Sequence, residues 1–346
     1  MDFVAQFWDL VSKAQTIVIT SHESPDDDSI GSSIALLEIL TKKFTNKNIR
    51  VLYSGSPENR YSYFKLYEKV EFAKDMADIL PKDTDLLICL DGSQYSRFSK
   101  NPEKLSQGKY QTICIDHHSS PVDNFTISLV DENASSTTEL IYRLLGKEVE
   151  IDKELAEILM LGILGDTGTF SYLKSNQLEV FDIAKDLMRI ADMEIQDFKA
   201  KYDTLPSRVF EIIKRLTLNT QFIEVAEWPT FMTIYLEREF ISENKYTDNE
   251  ISAASHIFMS NYFRIITGYS WGISVTPKNG SNCSISIRSL PNSVNCRSVL
   301  ERMKLGGGHD RAAGGTFKAA EGEVLDPKEC LTKVVEWLKQ NEVVVS

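Results

Sequence analysis

The segment HESPDDD, residues 22–28, places His22 four residues ahead of three consecutive aspartates, Asp26, Asp27 and Asp28. Carboxylates a few ångströms apart repel by about 4 kcal/mol at an effective dielectric of about 20, so this segment needs solvent or a cation. Three more segments carry the same chemistry: Asp91 ends DLLICLD, Asp116, His117 and His118 end QTICIDHH, and Asp166 lies in GDTGTF. A single aspartate after a strand is by default a helix cap or a turn residue. Four segments that each deliver carboxylate or imidazole are better explained by one metal centre. The charge count sets the cation. Asp26, Asp28, Asp91 and Asp166 carry four negative charges, which two divalent ions neutralise and one ion leaves in costly buried surplus. Mixed imidazole and carboxylate donors suit Mn²⁺ better than Mg²⁺, with Co²⁺, Fe²⁺ and Zn²⁺ also compatible.

The elements that must position these groups are legible around them. TIVIT (16–20), DLLICLD (85–91), QTICID (111–116) and FTISLV (125–130) read as strands. SIGSSIALLEILTKK (29–43) reads as a helix with Ile30, Ile34, Leu37 and Leu40 on one face, and SSTTELIYRLLG and DKELAEILMLGIL as further helices. This alternation predicts a parallel sheet covered on both faces, with ligands bound outside the carboxyl ends of its strands.

Near residue 188 the pattern becomes charged and is interrupted by Pro206, which places a domain of residues 1–187, a helical linker over 188–214 and a second domain over 215–346. The second domain reads as a smaller α/β unit with a mixed sheet. Between Lys278 and Lys318, seven basic residues face two acidic ones, and the glycine-rich LGGGHDRAAGG lies in that stretch. Too glycine-rich for a helix interior, it reads as a loop whose backbone N–H groups approach an anion. Arg288, at the end of CSISIRS, could grip two phosphate oxygens with its planar fork.

With 42% hydrophobic and 25% charged residues the composition is that of an ordinary globular protein. A formal charge of −12 is ill suited to long duplex nucleic acid, whose binding depends on neutralised phosphates. Five scattered cysteines without a C-x-x-C pair suggest a reducing compartment. No apolar run has bilayer length, and the N-terminus lacks the charged region of an export signal, so a cytoplasmic protein with no membrane partner is expected.

HESPDDD as H-x-x-P-D-x-D, DHH at 116–118 and GGGHDRAAGG at 306–315, in this order, resemble the signatures of the DHH/DHHA1 phosphoesterases. Within them the chain is most similar to the stand-alone nanoRNase and pAp phosphatase group. The resemblance implies an α/β fold: an N-terminal parallel-sheet DHH domain with helices on both faces, then a smaller DHHA1 domain with a mixed sheet. It further implies that His22, Asp26 and Asp91 bind one metal, and Asp28, Asp91, His117 and Asp166 the other, with Asp91 bridging. His118 would face the substrate phosphate and Asp116 would support the neighbouring imidazoles. Arg288, Gly306, Gly307, Gly308 and His309 would bind substrate. Asp27 stands where relatives usually carry a small residue, and is expected to cap the following helix or face solvent.

The activity implied is two-metal hydrolysis of short oligoribonucleotides to mononucleotides, and of pAp to AMP and phosphate. Some relatives also cleave pApA or cyclic dinucleotides, and a homodimer is what the family suggests. Two other readings compete. Cleavage of pyrophosphate or polyphosphate is disfavoured by GGGH and by Phe170 and Tyr172 near Asp166. A nucleotide-sensing module without turnover is disfavoured by the intact set of metal ligands.

Overall fold

TIVIT becomes β1 (Thr16–Thr20), buried at every residue, as a continuous apolar run between two covered faces requires. The computed structural model describes residues 2–23, 25–263 and 265–345. Around β1 lie β2 (Asn48–Ser54), β3 (Val70–Ala73), β4 (Leu86–Leu90), β5 (Gln111–Asp116) and β6 (Ile127–Val130). They form one six-stranded, wholly parallel sheet in the order β3-β2-β1-β4-β5-β6. Alternate residues feed two separate cores. Ile17, Ile19, Ile88 and Ile115 face one; Val18, Leu87 and Cys89 face the other. The order reverses between β1 and β4, the point where open α/β sheets leave a crevice for ligands.

Three helices bring further groups to that edge: α1 (Asp27–Lys43), α2 (Thr137–Leu145) and α3 (Lys153–Asp166). The spacing predicts one apolar face for α1, but Ser32, Ser33, Ala35, Leu36 and Ile39 are buried as well. The helix is central, packed against both α2 and α3. In α3 every residue from Leu155 to Leu164 is buried, the charged Glu157 among them, paired with Lys201 at 3.6 Å.

The chain divides into two compact units, residues 1–204 and 205–346. Residues 188–214, expected as a linker, are shared between them. Phe198 and Tyr202 belong to the core of the first unit, while Val209, Ile212 and Ile213 belong to a core of the second.

The second unit has its own mixed sheet, built from β7 (Gln221–Ile223), β8 (Phe231–Tyr235), β9 (Trp271–Lys278), β10 (Asn282–Ser289), β11 (Gly306–His309) and β12 (Ala312–Phe317). Their order is β11-β12-β10-β9-β8-β7, with only β8 and β9 parallel. The expected glycine loop is corrected here: Gly306–His309 is an edge strand paired antiparallel to β12. The reason is steric. A Cβ on Gly306 would lie 2.2 Å from the Gly314 carbonyl oxygen, so glycines on both strands let the two backbones meet.

Candidate metal centre

β1 and β4 are neighbours, so His22 and Asp91, which follow them, meet: His22 Nε2 lies 3.2 Å from Asp91 Oδ2. Asp26 joins them with Oδ2 3.5 Å from the same nitrogen. Its other oxygen accepts the Ser29 N–H and caps α1, so one carboxylate serves as helix cap and as site group together. Asp28, in the first turn of α1 and fully buried, lies 3.9 Å from His117 Nε2. Asp166, the last residue of α3, lies 2.8 Å from that nitrogen, and Asp91 Oδ1 lies 3.7 Å from it. Two groups able to hold a cation result, His22–Asp26–Asp91 and Asp28–His117–Asp166, with Asp91 in reach of both. A third grouping, Asp91–His117–His118, overlaps them.

Asp116 is fully buried, and its Oδ1 accepts the backbone N–H groups of His117 (2.8 Å) and His118 (3.1 Å). The same oxygen lies 2.8 Å from His118 Nδ1, which orients a ring whose side chain is 40% exposed. Asp116 thus holds the backbone of both histidines and the ring of His118 through one atom.

In the protein alone this arrangement is electrostatically unfavourable. Burial pushes the Asp28 carboxyl well above the usual carboxylate range, and the charges of Asp91 and Asp166 push the same way. Asp166 is raised likewise, by burial and then by Asp91 and Asp26. Burial alone would lower His22, but its contacts with Asp26 and Asp91 outweigh that and raise it to about 10. His117 Nε2 is buried and makes no hydrogen bond, although three carboxylates surround it. A buried imidazole nitrogen without a hydrogen-bond partner, aimed among crowded carboxylates, is the donor set of a divalent metal site.

The segment SSTTELIYRLLG, expected only as a helix, also contributes to the site as α2. Asp28 accepts the backbone N–H groups of Thr137 (2.7 Å) and Thr138 (2.8 Å), and the Thr137 hydroxyl donates to Asp91 (3.2 Å). The positive end of α2 therefore grips the two most buried carboxylates of the cluster. The available signal is the cap itself, Ser136 followed by Glu139, which marks where free N–H groups must lie.

Asp27 also departs from expectation. It neither caps α1 nor faces solvent; its side chain is 16% exposed and pairs with Arg60 at 2.7 Å, while the Tyr61 hydroxyl donates to it at 2.9 Å. Its Cβ packs against Gly165, beside Asp166. The clamp therefore joins the start of α1 to the end of α3, the two helix ends that carry site carboxylates. Asp27→Ala is expected to lower unfolding free energy by about 2 kcal/mol, a figure reduced because Arg60 is partly solvated. Calorimetry should then show a melting temperature lower by about 4 to 8 °C, and an unchanged value would deny the pair any structural weight.

In the second unit, Arg288 pairs with Ala312 across β10 and β12, and His309 pairs with Ala312 across β11 and β12. Directly paired residues share a sheet face, so Arg288 and His309 lie on one face, either side of a small alanine. Gly306, Gly307 and Gly308 run along the adjoining edge.

Residues 16–163 match the family model described as DHH family, N-terminal domain. Over 312 residues the chain is 27% identical to the probable bifunctional oligoribonuclease and PAP phosphatase NrnA of Streptococcus mutans, spanning 89% of this chain and 92% of that protein. Over 202 residues it is 29% identical to the bifunctional oligoribonuclease and PAP phosphatase NrnA of Bacillus subtilis, spanning 56% of this chain and 59% of that one. An exopolyphosphatase-related protein from Bacteroides fragilis has a crystal structure that aligns with a TM-score of 0.80 at 25% identity, over 97% of this chain and 96% of that one. Motifs, sheet order and relatives agree, and residues 16–163 form a domain of the DHH family.

Proposed function

We propose that this phosphoesterase uses two divalent ions, Mn²⁺ by preference, to hydrolyse short oligoribonucleotides to mononucleotides and pAp to AMP and phosphate. The observation that carries the reading is the convergence of His22, Asp26, Asp28, Asp91, His117 and Asp166 at the reversal point of the parallel sheet. His22, Asp26 and Asp91 would hold one ion, and Asp28, Asp91, His117 and Asp166 the other. Ions held there would polarise the phosphoryl group and make an attacking water more acidic. His118, oriented by Asp116, presents its exposed edge to a phosphate oxygen, and α2 keeps Asp28 and Asp91 from shifting as substrate charge arrives. Arg288, His309 and the glycine edge form a phosphate-binding face of the second unit. The substrate class is supported by the names of the two NrnA relatives.

The reading extends to a homodimer, which the family resemblance suggests, and to a reducing cytoplasm, with which five buried cysteines without a disulfide among the described residues agree. Among the same residues no helix is long and apolar enough to cross a membrane.

The test is a product assay over pAp, pApA, a cyclic dinucleotide, oligoribonucleotides of increasing length and pyrophosphate, with Mn²⁺ and with chelator. AMP from pAp and from the short oligomers is expected, lost on chelation and restored by Mn²⁺. Phosphate from pyrophosphate without any nucleotide product, or binding of the panel without turnover, would overturn the proposal.

A further inference from the structure

Immediately beyond Asp166 the backbone adopts an unusual path. Gly168, Thr169 and Phe170 have φ of 54°, 55° and 66°, a left-handed run that costs the two non-glycine residues conformational energy. Hydrogen bonds impose it. Thr167 Oγ1 donates to the Ile163 carbonyl (2.6 Å) and accepts from the Phe170 N–H (3.0 Å). The Thr169 N–H donates to Leu164 (2.8 Å) and the Tyr172 N–H to Thr167 (2.9 Å). Strain held this firmly is characteristic of a segment kept for function.

The path has a visible result. Phe170 turns inward onto Phe181, with ring centroids 5.2 Å apart, and packs on the core of the first unit. Tyr172 does the reverse: its ring lies over Gly168, where a Cβ would stand 2.3 Å from it, and the residue is 62% exposed. Core packing therefore accounts for Phe170 but not for Tyr172. Leu178 and Phe181, 57% and 48% exposed, add apolar surface from the segment and helix that follow.

We propose that Tyr172 is the stacking surface for the base of a nucleotide whose phosphate is bound at the Asp91 and Asp166 cluster. The inference rests on the nucleotide reading above and adds to it the residue that selects for a base. Gly168, under the Tyr172 ring, is two residues from Asp166, and two residues of chain span at most about 7 Å, a length that a ribose bridges between phosphate and base. A rigid, solvent-facing ring next to a phosphoryl site offers the flat apolar contact that every base can use and that pyrophosphate, having no base, cannot. The phenol ring is fixed by backbone contact rather than by its hydroxyl, so phenylalanine should replace it.

The experiment compares Tyr172→Ala and Tyr172→Phe with the parent, as full chains loaded with Mn²⁺. Kinetics are measured on pAp and on ribose 3,5-bisphosphate, the same bisphosphate without adenine. A second readout is the quenching of 2-aminopurine in the corresponding bisphosphate on mixing, before turnover. Tyr172→Ala should raise KM for pAp by about tenfold to a hundredfold, leave kcat within about threefold, leave KM for the base-free compound unchanged and abolish quenching. Tyr172→Phe should behave as the parent in all four. An equal rise in KM for both bisphosphates, or quenching that survives in Tyr172→Ala, would overturn the stacking role. If the parent hydrolyses neither bisphosphate, the proposed function fails, and the quenching comparison still decides whether Tyr172 contacts the base.

Discussion

Asp91→Asn should reduce AMP release from pAp by about 10³-fold under saturating Mn²⁺, equivalent to about 4 kcal/mol of lost transition-state stabilisation. Asp91 is the group that both halves of the cluster share, 3.2 Å from His22 on one side and 3.7 Å from His117 on the other. Asparagine preserves its shape and its bond from Thr137 while removing one of the charges that would hold the ions. It also tolerates the left-handed backbone found at this position (φ 55°), so the variant should fold with an unchanged circular dichroism spectrum. Turnover at the parent rate would remove the basis for a shared metal ligand.

Gly162→Ala should have the second-largest effect, although residue 162 is no candidate ligand. A methyl there would stand 2.0 Å from Thr138 Oγ1, 2.7 Å from Thr138 Cβ and 3.0 Å from Asp28 Oδ1. Neither neighbour can yield freely, because Thr138 lies in the first turn of α2 and donates its N–H to Asp28. Overpacking of this kind costs about 1–3 kcal/mol, and pushing Asp28 aside by about 1 Å should cost about 10²-fold in kcat/KM. Melting temperature and titration of Mn²⁺ binding give independent measures. A variant with parent-like metal affinity and activity would show that α2 and α3 can separate without disturbing the site.

Both predictions depend on features of unequal legibility. The strand ends that carry Asp91 and Asp116 were readable because short apolar runs stop abruptly at an acid. Strands β2 and β3 were not: the first begins with the exposed Asn48 and half-buried Ile49 and Arg50, and the second is four residues long and only partly buried. Strands β11 and β12 escaped for another reason. Glycine and alanine give no apolar alternation to detect, and their pairing is set by how closely two bare backbones can approach.

The candidate ligands could be read from side-chain type, but their support could not. The N–H groups of Thr137 and Thr138 that hold Asp28 belong to the backbone, where residue identity says nothing directly. The partner of Asp27 is Arg60, separated by a long stretch of chain, and no local pattern announces a pair made only by folding.

The left-handed backbone at Asp91 has a consequence for how this protein could be engineered. Glycine at that position would relieve the torsional strain and withdraw one of the charges that disfavour ionised Asp28 and Asp166. A library screened only for heat resistance in the presence of chelator would thus be drawn toward the substitution that silences the enzyme. Retaining the aspartate through such a screen calls for metal in the buffer, where binding energy rewards the conformation that the bare chain resists.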